Sequence, residues 1–146
     1  MGKTNPSYKE VFLTYKNGEV TNRLGLKLTT ALEKANITVY YAIRDLSLAY
    51  NDFDLIHKAT LVLFLYSEKC NHSERIPNEL EITKDRLENH KLRTLITVAV
   101  DDRKTISDDL MKYLTGHPII DYKPEEEDQL VEKLVGICRD YTTGKK

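Results

Sequence analysis

Residues 60–66 run Thr-Leu-Val-Leu-Phe-Leu-Tyr, an apolar stretch with no polar face. A strand with one side in water alternates polar with apolar residues. One that is apolar throughout must be covered on both sides, as the crossover helices of a parallel sheet do. Such a strand predicts helical segments before and after it, and the rest of the chain supplies them in alternation with further short apolar runs.

The first strand is predicted at residues 11–15, followed by a loop at Asn17-Gly18. Residues 20–35 place Leu24, Leu28, Ala31, Leu32 and Ala35 at helical spacing, with Gly25 as a weak point. A second strand spans 37–41 and ends before Arg44-Asp45, and a short helix is predicted near 53–58. After the central strand, a helix over 77–89 turns Ile76, Leu80, Thr83 and Leu87 inward, with Pro77 in a first turn that needs no N–H from it. A fourth strand follows at 95–100, then a short helix over 107–114 with Gly116 as its cap. The fifth strand, 118–122, belongs at an edge because Pro118 cannot donate to a ladder. The last helix starts after Pro124 and buries Leu130, Leu134, Ile137 and Tyr141; its acidic opening, Glu125 to Asp128, suits the positive end of a helix dipole.

Five strands alternating with helices predict an α/β domain with a doubly wound parallel sheet and right-handed crossovers on both faces. The 146 residues make one domain, with tails at 1–7 and 142–146 around a body at 8–141. Ligands of such sheets collect outside the C-terminal strand ends, here Tyr15-Lys16-Asn17-Gly18, Arg44-Asp45, Tyr66-Ser67 and Asp101-Asp102. Those positions exclude several chemistries. A phospho-accepting receiver needs an acidic pair after strand one and an aspartate after strand three, where Tyr15-Lys16 and Tyr66-Ser67 stand. Lys16 to Val20 is a poor phosphate loop for a flavodoxin, and no G-x-G-x-x-G, P-loop, HExxH or GxSxG occurs.

With 22 basic and 23 acidic side chains the formal charge is -1, so no cationic excess is available for nucleic acid. No apolar run approaches the roughly 20 residues of a membrane span, and residues 1–7 show neither a signal peptide nor a myristoylation pattern. A cytoplasmic location is expected. Cys70 and Cys138 cannot form a disulfide framework or a four-ligand zinc site, and the four histidines lack ligand spacing, so no metal is expected. Cys70 lies near the expected mouth, where it is a candidate reactive thiol.

The motifs resemble those of TIR domains. Val11-Phe12-Leu13-Thr14-Tyr15-Lys16 is similar to the family's opening strand, and residues 32–41 to the segment leading into its BB loop. Residues 56–67 match the "I-x-x-A/S" lead into an apolar strand ending in Ser. Ser73-Glu74-Arg75-Ile76-Pro77-Asn78-Glu79-Leu80 matches Ser-x-Trp-Cys-x-x-Glu-Leu in its Ser and its Glu-Leu. Arg75-Ile76 replaces the Trp-Cys pair, residues 45–52 lack the usual Gly and Pro of the BB loop, and the late Phe-Trp motif of animal receptors is missing. The missing Phe-Trp motif turns the likeness away from the animal receptor branch and toward an enzymatic NADase-like or bacterial or plant-like one, while the lost Trp and the unusual BB loop favour an interaction module. Either way a flavodoxin-like fold is implied.

It also implies a substrate and a site. TIR enzymes cleave the nicotinamide–ribose bond of NAD with a glutamate at the motif position held here by Glu79. By position alone Glu79 reads first as a first-turn carboxylate favoured by the dipole, at the edge of the apolar stripe, and it is the family match that reverses that preference. Family positions matching Tyr15 and Lys16 line the nucleotide site; the residues themselves read as an aromatic strand end and a solvated lysine. Arg44 and Asp45 shape the BB loop or ribose pocket, or form a local ion pair, and Ser67 is a candidate contact or a plain turn residue. NAD or a related nucleotide is then substrate rather than cofactor, and other TIR domains are the expected partners in immune or stress signalling. The alternative is a non-enzymatic TIR–TIR interaction or adaptor module.

Overall fold

A computed structural model describes residues 10–41, 59–89 and 91–142. The helix expected near 53–58, the segment 45–52 and both Arg44 and Asp45 lie outside the described residues.

The described elements are β1 (Glu10–Tyr15), α1 (Glu19–Lys34), β2 (Thr38–Tyr41), β3 (Leu61–Tyr66), α2 (Arg75–Glu88), β4 (Thr94–Ala99), α3 (Asp108–Leu114), β5 (Ile119–Asp121) and α4 (Glu127–Thr142), and outside the step from β2 to β3 strands and helices alternate as expected. Short 3₁₀ turns at Glu68–His72, Arg103–Thr105 and Pro124–Glu126 precede the last three helices. The strands form one five-stranded sheet in the order β2-β1-β3-β4-β5, with every pairing parallel. Both β3 and β4 are buried along their whole length, because helices cover both of their faces. β5 takes the predicted edge. No helix among the described residues is long and apolar enough to cross a membrane.

The twofold period of the strands sorts the core into two layers. Val11, Leu13 and Tyr15 of β1 pack with Leu24, Leu28, Leu130, Leu134 and Cys138 of α1 and α4. Phe12 joins Val62, Phe64 and Tyr66 against Ile76, Leu80, Leu110 and Leu114 of α2 and α3. The two cysteines are buried in opposite layers and form no disulfide with each other. In α4 it is Cys138 that is fully buried, while Ile137 is half-buried.

Local chemistry sets the element ends. Asn36 takes φ 65°, a left-handed conformation that asparagine tolerates, and the following N–H of Ile37 returns to the Leu32 carbonyl at 3.0 Å. β2 therefore begins at Thr38, one residue later than expected. Gly116 takes φ 91° just past α3, as its position as a helix cap predicted. Gly25 has a role beyond weakening α1. A Cβ there would lie 2.5 Å from Cε2 and 2.7 Å from the hydroxyl oxygen of Tyr15, so glycine is what lets that ring approach the helix so closely.

The acidic opening of α4 also does more than suit a dipole. Glu127 accepts hydrogen bonds from the Tyr122 hydroxyl, from Arg23 at 2.9 Å and from Lys27 at 3.0 Å, and Lys27 also pairs with Asp128. These contacts clasp α1 to α4. The Tyr122 hydroxyl above all, then Arg23 and Lys27, pulls the Glu127 carboxyl from 4.5 down to about 2. A carboxylate with a depressed folded-state pKa stabilises the fold fully above its unfolded value and loses that contribution as pH falls toward the folded one. Glu127→Gln is therefore expected to melt below wild type at pH 6, with the gap closing between pH 4.5 and about 2. Melting curves across that range check it; a constant gap would contradict the clasp.

Candidate functional site

The site is built where β1 and β3 end and α2 begins. Alternation along β1 sends Tyr15 toward α1 and Thr14 toward α2. Beyond β3, Ser67 accepts the Cys70 N–H at 2.8 Å to start a 3₁₀ turn, and Ser73 closes it with its N–H on the Cys70 carbonyl. The Ser73 hydroxyl then accepts from the N–H groups of Arg75 and Ile76 at 3.2 and 3.1 Å, satisfying two donors that a helix start leaves unpaired. Asn71 fastens the turn to the chain after β4. Its amide donates to the Tyr66 hydroxyl and the Thr105 carbonyl, and its oxygen accepts from the Ser107 N–H.

With α2 starting at Arg75 rather than Pro77, Glu79 falls in the second turn. The dipole acts within the first turn, so it does not account for Glu79. Glu79 lies beside the apolar stripe, as expected, but on the buried face of α2, made by Ile76, Glu79, Leu80, Thr83 and Arg86, where the carboxylate is 1% exposed. Leu87, expected inward, is half-buried.

A carboxylate placed there must be met by donors, because an unpaired buried charge is very costly. Thr14 donates its hydroxyl to Oε1 at 2.6 Å, and Arg75 donates Nη1 to Oε2 at 2.8 Å. The same Nη1 reaches the Thr14 hydroxyl at 3.1 Å, and Nη2 donates to the Tyr15 carbonyl at 2.7 Å. The Arg75 side chain is 26% exposed. One guanidinium thus joins the last two residues of β1 to the buried carboxylate of α2.

Of the residues singled out in the sequence, Glu79 is at the centre of this cluster. Tyr15 contributes its carbonyl to the cluster, and its ring is wholly buried on the other side of the sheet, against Gly25. Lys16 is half-buried at the same strand end, and its carbonyl accepts from the Thr21 hydroxyl at 2.8 Å. Ser67 is 9% exposed, at the start of the turn leading to α2. Lys69 brings a further cation, donating to the Asn17 carbonyl at 3.3 Å. Cys70 is fully buried and burial pushes its thiol up, which corrects the expectation of a reactive thiol at the mouth.

Thr14 and Arg75 are the partners that sequence reading passed over. Both left a signal. Thr14 shares the face of Phe12, opposite Tyr15, and Arg75 stands four residues before Glu79, the spacing of a helical ion pair. Among the described residues no three His, Cys, Asp or Glu side chains converge to hold a metal. Chemically, the cluster offers an anion held at the strand ends and away from water, fit to meet positive charge.

A comparison with protein-family models matches residues 11–135 to the TIR domain. No curated protein matches the chain.

Proposed function

We propose that this chain, which belongs to the TIR domain family, cleaves the bond between nicotinamide and ribose in NAD, with Glu79 as the reacting carboxylate. One observation carries the reading. A glutamate at the family's motif position is buried at the C-terminal strand ends, where a parallel sheet gathers its ligands, and it lies beyond the first turn of α2, the turn in which a helix dipole would favour it.

The chemistry asks little beyond that charge. The C1′–N bond breaks with its electron pair going to the pyridinium nitrogen, so nicotinamide leaves neutral and needs no general acid. Positive charge develops on the ribose as an oxocarbenium-like state, and the Glu79 carboxylate stabilises it or orients the ribose hydroxyls. Water attacks C1′ and releases a proton to solvent, giving ADP-ribose; attack by the adenine gives a cyclic product instead. Lys16 at the neighbouring strand end suits the phosphates. NAD is substrate throughout, and association with other TIR domains completes the site in signalling of an immune or stress type.

A second reading has its own observation. Both Glu79 oxygens are engaged and the side chain is 1% exposed, as expected of a structural ion pair in a non-enzymatic TIR–TIR interaction module. The two part on a direct assay. Purified protein at high concentration with a crowding agent is incubated with NAD, and nicotinamide and ADP-ribose products are resolved by chromatography beside Glu79→Ala. The enzyme reading expects nicotinamide release that the variant loses. Absence of release from the wild-type protein under these conditions favours the module.

A further inference from the structure

Arg75 is one of the two residues by which this chain departs from its family's motif, standing where that motif has Trp, and the structure gives it a specific position. Its guanidinium bonds Glu79, Thr14 and the Tyr15 carbonyl together. It is 26% exposed while the carboxylate beneath it is 1% exposed, so Arg75 is the side of the ion pair that faces water. As long as that pair holds, the carboxylate meets Arg75 rather than a substrate.

We propose that Arg75 is a displaceable cover: Glu79 becomes accessible when the guanidinium leaves it, and a diphosphate group is the ligand chemistry that draws it away. The second half rests on reading Glu79 as the reacting carboxylate of a dinucleotide-cleaving enzyme. A conformational change is explained only when something binds the second state better than the first. A guanidinium fork matches phosphate oxygens as well as carboxylate oxygens, in charge and in geometry. A diphosphate therefore competes for the group that Glu79 holds, and Lys16 and Lys69 at the same strand end add to the positive field that attracts it. Arg75 is a positioning residue in this scheme, since its effect on the reacting atoms passes through Glu79.

Carbodiimide-driven coupling of an amine to Glu79, followed by peptide mass spectrometry, reads the cover without any turnover. Arg75→Lys keeps the charge but gives up the fork, so it preserves part of the pairing and with it the fold. Coupling at Glu79 is expected to rise about tenfold over wild type in Arg75→Lys, or about 1.4 kcal/mol of lost closure. Coupling no faster than wild type in the folded variant overturns the cover. In a second arm, the Arg75 side-chain N–H resonance of the wild-type protein is followed by NMR at constant ionic strength. ADP-ribose is expected to move it and adenosine, which lacks the diphosphate, to leave it in place; an equal response to both, or none to either, overturns the diphosphate as the opening group. Nicotinamide release measured on the same samples judges the proposed activity separately. A cover without turnover and turnover without a cover are thereby different results.

Discussion

Arg75→Met lowers the unfolding free energy by about 3 kcal/mol, the low end of what breaking one side of a buried ion pair costs. Methionine keeps the aliphatic stem and removes every donor, so the Glu79 carboxylate, at 1% exposure, loses the guanidinium bond at 2.8 Å and keeps the Thr14 hydroxyl at 2.6 Å. The low end applies because the Arg75 side chain is 26% exposed, so water partly replaces it. In a domain of this size that is a drop in melting temperature of roughly 6–12 °C. Replacing both partners, as in Arg75→Met with Glu79→Leu, removes the stranded charge and restores most of the loss. Urea denaturation of the two single variants and the double gives the coupling. Losses that simply add would mean that the pair seen here does not hold in solution.

Gly25→Ala is the second large effect, expected at about 2 kcal/mol of destabilisation. On an ordinary helix this change gains about 1 kcal/mol, because alanine gives up less backbone freedom. Here the new Cβ would sit 2.5, 2.7 and 2.8 Å from Cε2, the hydroxyl oxygen and Cζ of Tyr15. The ring is fully buried and confined by its neighbours, so relief requires a shift of strand or helix, an overpacking cost of roughly 3 kcal/mol. In a Tyr15→Leu background the same Gly25→Ala change is expected to be neutral or stabilising. Equilibrium unfolding of the four proteins tests this, and a Gly25→Ala that stabilises the wild-type background would place the Tyr15 ring elsewhere.

These two positions also show what the sequence made legible. The unbroken apolar run of β3 could only be a covered strand, the alternation of strands with helices implied a parallel sheet, and Pro118 put β5 at an edge, whereas the order of the strands was not legible. Glycine and asparagine ended helices where their backbone freedom allowed. Boundaries moved where a single side chain intervened. The Ser73 hydroxyl begins α2 two residues before Pro77, and that small shift carries Glu79 out of the first turn and out of reach of the dipole explanation. Tyr15 drew attention by family analogy, yet the period of β1 assigned it to the face of Val11 and Leu13, and Thr14 to the face of α2. The clasp on Glu127 joins residues about a hundred positions apart, and no local pattern announces such a contact. Gly25 looked like a flaw in a helix because the ring it accommodates belongs to a different element.

The most direct test of the account is nicotinamide release and thermal unfolding recorded on the same samples of wild type and Glu79→Gln, at concentrations that enforce assembly. Glutamine keeps the size of the side chain and its contact with Thr14 but carries no charge. The account predicts that release disappears while the variant still unfolds cooperatively, a few degrees lower than wild type. Release at the wild-type rate from folded Glu79→Gln, or none from either protein alongside the same loss of stability, would contradict it and leave Glu79 as one half of an ion pair that ties α2 to β1.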